Sequence, residues 1–288
     1  MHNLFFVLFI LYVTSTNSLW NNCKNELGLE SNSKLFLVGD SMLFSMFLGL
    51  NCTHGWTFYS PKYSKKDIFS HLATFNYNNS VSYLIDSYSN STAVAAEVQG
   101  LHPTKNDIVI VLYGAHAYSK YMTDFYNFMK RIYEHVVKPF PGHAFWFEPF
   151  PQHFSTGQYI SQDKEGPSCL PLSKHTNLTQ FWRVEIYNKV VVETARIHRV
   201  LSYNLMAPYW NGHHSIHSWS QIRDQNPDIA NITLQANHRS NHSAGTLDCT
   251  HYTAEANAVA LKALVHSIDL ARKCSRFYLT SLIMLCQH

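Results

Sequence analysis

Ile108-Val109-Ile110-Val111-Leu112 is an unbroken apolar run, four β-branched residues closed by a leucine, with Asp107 before it and Gly114 just after. A strand with one wet face alternates apolar with polar residues. A run without that alternation is buried on both faces, which is the situation inside a parallel sheet covered by helices on each side. Leu35–Val38 and Ala144–Phe147 have the same character. Between them the periodicity changes. Met42–Leu50 reads as a buried helix, Asp124–Val137 as a helix stopped by Pro139, Pro141 and Gly142, Leu178–His198 as a long amphipathic helix, and Ala254–Lys273 as the last one. Val200–Asn204 is a further expected strand. Thr53–Asn90 and residues 208–245 are polar and turn-rich, with one strand expected near Ser82–Ile85. Strands alternating with helices imply a single α/β domain over residues 19–274, built on a parallel sheet covered on both sides. The tail 275–288 contains an apolar stretch, Phe277–Leu285, that is too short to span a bilayer and is expected to pack.

The first eighteen residues read as a secretory signal peptide: Met1-His2-Asn3, an apolar run Leu4–Val13, then Thr14 to Ser18. Six cysteines (Cys23, Cys52, Cys169, Cys249, Cys274, Cys286) without a Cys-x-x-Cys fit disulfides in an oxidising lumen better than zinc. Cys23 and Cys52, near in sequence, are expected to pair. Glycan acceptor sequences stand at Asn51, Asn78, Asn90, Asn177, Asn231 and Asn241. Together these predict a luminal or secreted glycoprotein without a stable membrane span. A net charge of +3 from scattered basic residues gives no concentrated face for nucleic acid. His213, His214 and His217 have ligand-like spacing but no acidic or cysteine partner nearby, so no metal or cofactor is expected.

Ligands of open parallel sheets sit beyond the carboxyl ends of the strands. Gly39-Asp40-Ser41, Tyr113-Gly114-Ala115-His116 and the segment Glu148 to Phe154 each follow an expected strand. Ser41, at a strand-to-helix junction, is a candidate nucleophile, although a serine there can also be a simple helix cap. Free N–H groups at a helix start can stabilise an oxyanion. A serine hydroxyl becomes a competent nucleophile when a base takes its proton. Asp248-Cys249-Thr250-His251 offers that base, His251, with Asp248 to orient it; the alternative is a turn in which Asp248 caps the last helix and His251 is merely exposed.

The ordered set Gly39-Asp40-Ser41, Gly114-Ala115-His116, Pro151-Gln152-His153-Phe154 and Asp248-Cys249-Thr250-His251 resembles the PC-esterase branch of the SGNH/GDSL superfamily. That branch includes trichome-birefringence-like and sialic-acid O-acetyltransferases, and the likeness runs over about residues 34–270. The resemblance implies a three-layer α/β/α sandwich and a triad of Ser41 (nucleophile), His251 (base) and Asp248 (orienter). It further implies oxyanion donors at the backbone of Ser41 and Gly114, a pocket shaped by Asp40, His116 and His153, and a Cys169–Cys249 disulfide. Its chemistry is metal-free acetyl transfer on sugar hydroxyls through an acyl-serine, so the expected partner is a glycan or an acetylated small molecule, with the acyl donor unidentified. Two departures stand out: Phe44 and Ser45 replace an arginine or other polar pair, and Leu112 replaces an asparagine that donates to the oxyanion. Losing one such donor typically costs about 100–1,000-fold in rate. The readings carried forward are an O-acetyltransferase, a carbohydrate or lipid esterase using the same triad, and a catalytically degenerate glycan-binding protein.

Overall fold

In a computed structural model, which describes residues 33–48, 70–73, 83–86, 91–115, 117, 122–154, 169–215 and 247–277, the apolar runs are neighbouring parallel strands. The elements in chain order are β1 Leu35–Gly39, α1 Ser41–Leu48, β2 Ser70–Ala73, β3 Tyr83–Asp86, α2 Ser91–Gly100, β4 Ile108–Leu112, α3 Met122–Ile132, β5 His143–Phe147, α4 Lys174–Val190, β6 Ile197–Val200, α5 Ser202–Met206, β7 His213–Ser215, β8 Leu247–Tyr252 and α6 Ala254–Phe277. A π-helical turn, Tyr133–Val137, extends α3. The main sheet has the order β1-β4-β5-β6, all parallel. The pairs β2–β3 and β7–β8 are antiparallel and separate from it.

Strand alternation sorts the sheet into two cores. Leu35, Leu37, Ile108, Ile110, Leu112, Phe145, Phe147 and Val200 face α1 and α6, where Met42, Leu43, Met46, Ala260, Leu264 and Ile268 meet them. Phe36, Val38, Val109, Val111, Ala144 and Trp146 face the other way, onto Val94 and Val98 of α2, Phe125, Phe128 and Met129 of α3, and Trp182 and Ile186 of α4. The fold is therefore α/β, a parallel sheet with flanking helices, as the uninterrupted apolar runs require.

The structure departs from expectation at several places. Helix α4 spans Lys174–Val190, not Leu178–His198: Ser173 accepts from the Thr176 N–H to cap the start, and Val191 turns to extended backbone at the end. The freed segment supplies β6, three residues earlier than the expected Val200–Asn204 strand, with Phe147 opposite Val200. Ser202–Met206 is a short helix, and Leu201, apolar in sequence, is 60% exposed. The strand expected near Ser82–Ile85 is β3, which pairs antiparallel with β2, a strand without a sequence expectation. Among the described residues no helix is long and apolar enough to cross a membrane.

Candidate functional site

The turn between β1 and α1 is pinned to the end of β4. The Asp40 N–H donates to Leu112 O at 3.1 Å, and a Cβ on Gly39 would run into that same Leu112 carbonyl. Only glycine permits so close an approach. At the facing loop Gly114 has φ +141°, a conformation L side chains rarely adopt, and a Cβ there would come within 2.7 Å of Pro149 Cβ.

Between these two turns lies the Asp40 carboxylate, 1% exposed. Its Oδ1 accepts from the Met42 N–H at 3.0 Å, capping α1. Its Oδ2 accepts from the N–H groups of Gly114 and Ala115, both at 2.7 Å. Burial raises the Asp40 pKa, opposed by hydrogen bonds from Ala115, Gly114 and Met42 and by the charge of His251. The same geometry bears on the expected oxyanion donors. The Gly114 N–H is directed at Asp40 Oδ2, so an oxyanion would have to draw on the Ser41 end of α1 instead.

His251 lies on β8 and is buried. What ties this strand to α1 is a group of hydrogen bonds one turn past Ser41. Ser45 Oγ donates to Tyr252 O at 3.1 Å, and Asn257 Nδ2 donates to Tyr252 O at 2.8 Å and to Ser45 O at 3.0 Å. Asn257 stands on the first turns of α6, so β8, α6 and α1 are locked at one point. Asp248 and His251 both fall within β8, where an unbroken strand would send residues three apart to opposite faces. The register is broken, however: His213 pairs with Tyr252 and Ser215 with Leu247, so five steps along β8 match two along β7. An irregularity of this kind re-aims side chains.

The segment after β5 joins these parts. His153 donates its N–H to Cys249 O at 3.0 Å and accepts at its own carbonyl from Leu170 at 2.9 Å. Its Nδ1 is 3.0 Å from Leu170 O, which fixes the proton on Nδ1. Cys169 and Cys249 form a disulfide with Cα atoms 5.4 Å apart, buried with Phe154. His153 is thus held between the two halves of the bridge. Burial pushes its pKa down to about 4, so it is neutral near pH 7. Its ring packs edge-on against His213, 5.1 Å between centroids, and His213 lies 4.1 Å from Tyr252.

Beside His153, Gln152 is enclosed in polar contacts. Its Nε2 donates to Ala115 O at 2.6 Å and to Thr250 Oγ1 at 3.2 Å, and its Oε1 accepts from Arg183 Nη1 at 3.2 Å. Gln180 pairs with the Gln152 backbone as a neighbouring strand would, at 2.9 and 3.0 Å. Arg183, fully buried, also donates to Gly114 O at 2.7 Å and Gln180 Oε1 at 2.5 Å.

Of the expected residues, Asp40, Gly114, His153 and His251 are therefore placed around the carboxyl ends of β1, β4 and β5 or on the strand latched to them. The side chains of Ser41 and Asp248, residue His116, the cysteines Cys23 and Cys52, residues 1–18 and the acceptors Asn51, Asn78, Asn90, Asn231 and Asn241 lie outside the described residues. Asn177 is described, in α4, where its Oδ1 accepts from Tyr203 at 2.8 Å. Among the described residues no group of three or more His, Cys, Asp or Glu side chains is arranged to hold a metal. Sequence reading noted Ser45 only as a departure from the family pattern and missed Asn257, Gln180 and Arg183. Asn257 stands as a single polar residue among apolar neighbours on a helix face; Arg183 in an amphipathic pattern carries no mark of its burial. No protein-family model matches the chain, and no curated protein matches it.

Proposed function

We propose that this protein is a luminal or secreted carbohydrate O-acetyltransferase of the SGNH three-layer type, working through an acetyl-serine at Ser41. The observation that carries the reading is the lock of Ser45, Tyr252 and Asn257. It holds the start of α1 and the strand bearing His251 together. In the proposed reaction His251 takes the Ser41 proton as Oγ attacks the acetyl carbonyl, then returns it to the donor's leaving group as the acetyl–donor bond breaks. A sugar hydroxyl next gives its proton to His251 and attacks the acetyl carbon, and that proton returns to Ser41 as the ester bond to serine breaks. Asp248 orients the imidazole, and the backbone N–H of Ser41 faces the developing oxyanion.

An esterase with water as acceptor uses the same steps. A non-catalytic glycan-binding protein is favoured by one observation, the engagement of the Gly114 N–H with Asp40 together with Leu112 at the asparagine position. Incubation of the glycosylated protein with a chromogenic acetyl ester, followed by peptide mass spectrometry, tests all three. We expect an acetyl adduct on Ser41 that is lost, with turnover, in Ser41→Ala, and transfer to added oligosaccharide faster than hydrolysis. Hydrolysis alone supports the esterase, and the absence of any adduct supports the binding protein.

A further inference from the structure

We propose that Gln152 is a positioning residue that sets the His251 strand against the Asp40–Ser41 turn. This rests on the acyl-serine reading. Gln152 binds groups 37 residues away at Ala115 and 98 residues away at Thr250, both through the same Nε2, while its Oε1 is held by Arg183. The amide orientation is fixed by chemistry, because a carbonyl can only accept and a guanidinium can only donate.

The consequence lies in the Gly114–Ala115 peptides. Their two N–H groups are gripped by Asp40, the residue before the nucleophile. Their two carbonyls are gripped from the other side by Arg183 and Gln152. A rigid path of hydrogen bonds therefore runs from Asp40 through this loop to Gln152 and on to Thr250, the residue before the proposed base. An apolar residue of the same size would fill the space but leave the strand free to shift. Misplacement of a reacting group by about 1 Å can cost about 100-fold in rate. Arg183 supports the clamp from α4, and Gln180 fixes the backbone of Gln152 so that its side chain points along this path.

The test uses the full secreted chain with Gln152→Leu, Thr250→Val and Thr250→Ser. Ester turnover is measured as kcat and KM across pH, and hydrogen–deuterium exchange is followed over Leu247–Tyr252. Gln152→Leu and Thr250→Val are expected to lower kcat by about tenfold or more, with KM changed less than about twofold. Thr250→Ser, which keeps the accepting hydroxyl, recovers most of the loss. Faster exchange in β8 accompanies the two damaging variants and not Thr250→Ser. If Gln152→Leu does not fold, the threonine pair carries the test alone. Native kcat in Thr250→Val with unchanged exchange overturns the clamp. Should the native chain show no Ser41 adduct, the acyl-serine reading fails by itself. The exchange readout then decides: β8 loosened in Thr250→Val but not in Thr250→Ser upholds the clamp, and equal exchange refutes it.

Discussion

Asp40 carries a carboxylate into the interior on three backbone N–H groups, and the arrangement explains why the turn has the residues it has. Glycine must precede it because the chain touches β4, and a helix must follow because one oxygen caps it. That much of Gly39-Asp40-Ser41 was legible, since glycine and a helix start are read directly from residue type. The second oxygen's partners were not, because they lie 74 and 75 residues away. Histidines supply the prediction at this scale. Burial lowers His153 to about 4, and burial with the neighbouring His143 lowers His198 to about 4, against 6.5 ordinarily. A histidine with a depressed folded pKa binds its proton more readily when unfolded, so stability is complete above about pH 6.5 and falls as pH drops toward 4. Asp40 and Glu148, both raised by burial, act with the opposite sign, gaining stability as they protonate above 3.8 and 4.5. The histidine contribution should amount to about 1–2 kcal/mol each between pH 7 and pH 5. Urea unfolding at the two pH values tests this: His198→Gln should flatten the dependence, and an unchanged slope would refute the assignment.

At the scale of elements, the sheet was legible because parallel strands are apolar on both faces and need no partner to be recognised. The helices were less so. The end of α4 was misread because Val190-Val191-Val192 continues the apolar pattern while changing to extended backbone, and only pairing with β5 reveals β6. The β8 strand escaped because its partner, β7, is three residues long and its register is irregular. What joins these elements near the site is a side chain, Asn257. Replacing it by alanine removes three donated bonds and leaves Ser45 O buried without that donor. Asn257→Ala should cost about 2–3 kcal/mol of stability in urea titration. It should also slow Ser41 acylation, because α1 and β8 lose their common anchor. A variant as stable as the native chain would show the lock to be incidental.

At the scale of the molecule, the described residues form an apolar core on each face of the sheet, with the hydrogen bonds of Gln152 and Arg183 and the disulfide concentrated beyond the strand ends. The Cys169–Cys249 bridge closes a loop of 80 residues and ties β8 to the segment leading into α4. By loop entropy it contributes about 4–5 kcal/mol, and Cys169→Ser with Cys249→Ser should lose most of that in reversible unfolding. A loss below about 1 kcal/mol would mean the bridge is not a structural constraint. A bridge of this kind persists in an oxidising compartment, which is the setting of the proposed luminal or secreted reading. In the proposed reaction Ser41 and His251 share a proton, and a serine-directed fluorophosphonate reports on that pair. We predict one adduct, mapped to Ser41, whose formation rate rises with deprotonation of a single group and collapses in His251→Ala. An adduct on another residue, or equal labelling of Ser41 when His251 is absent, would contradict it.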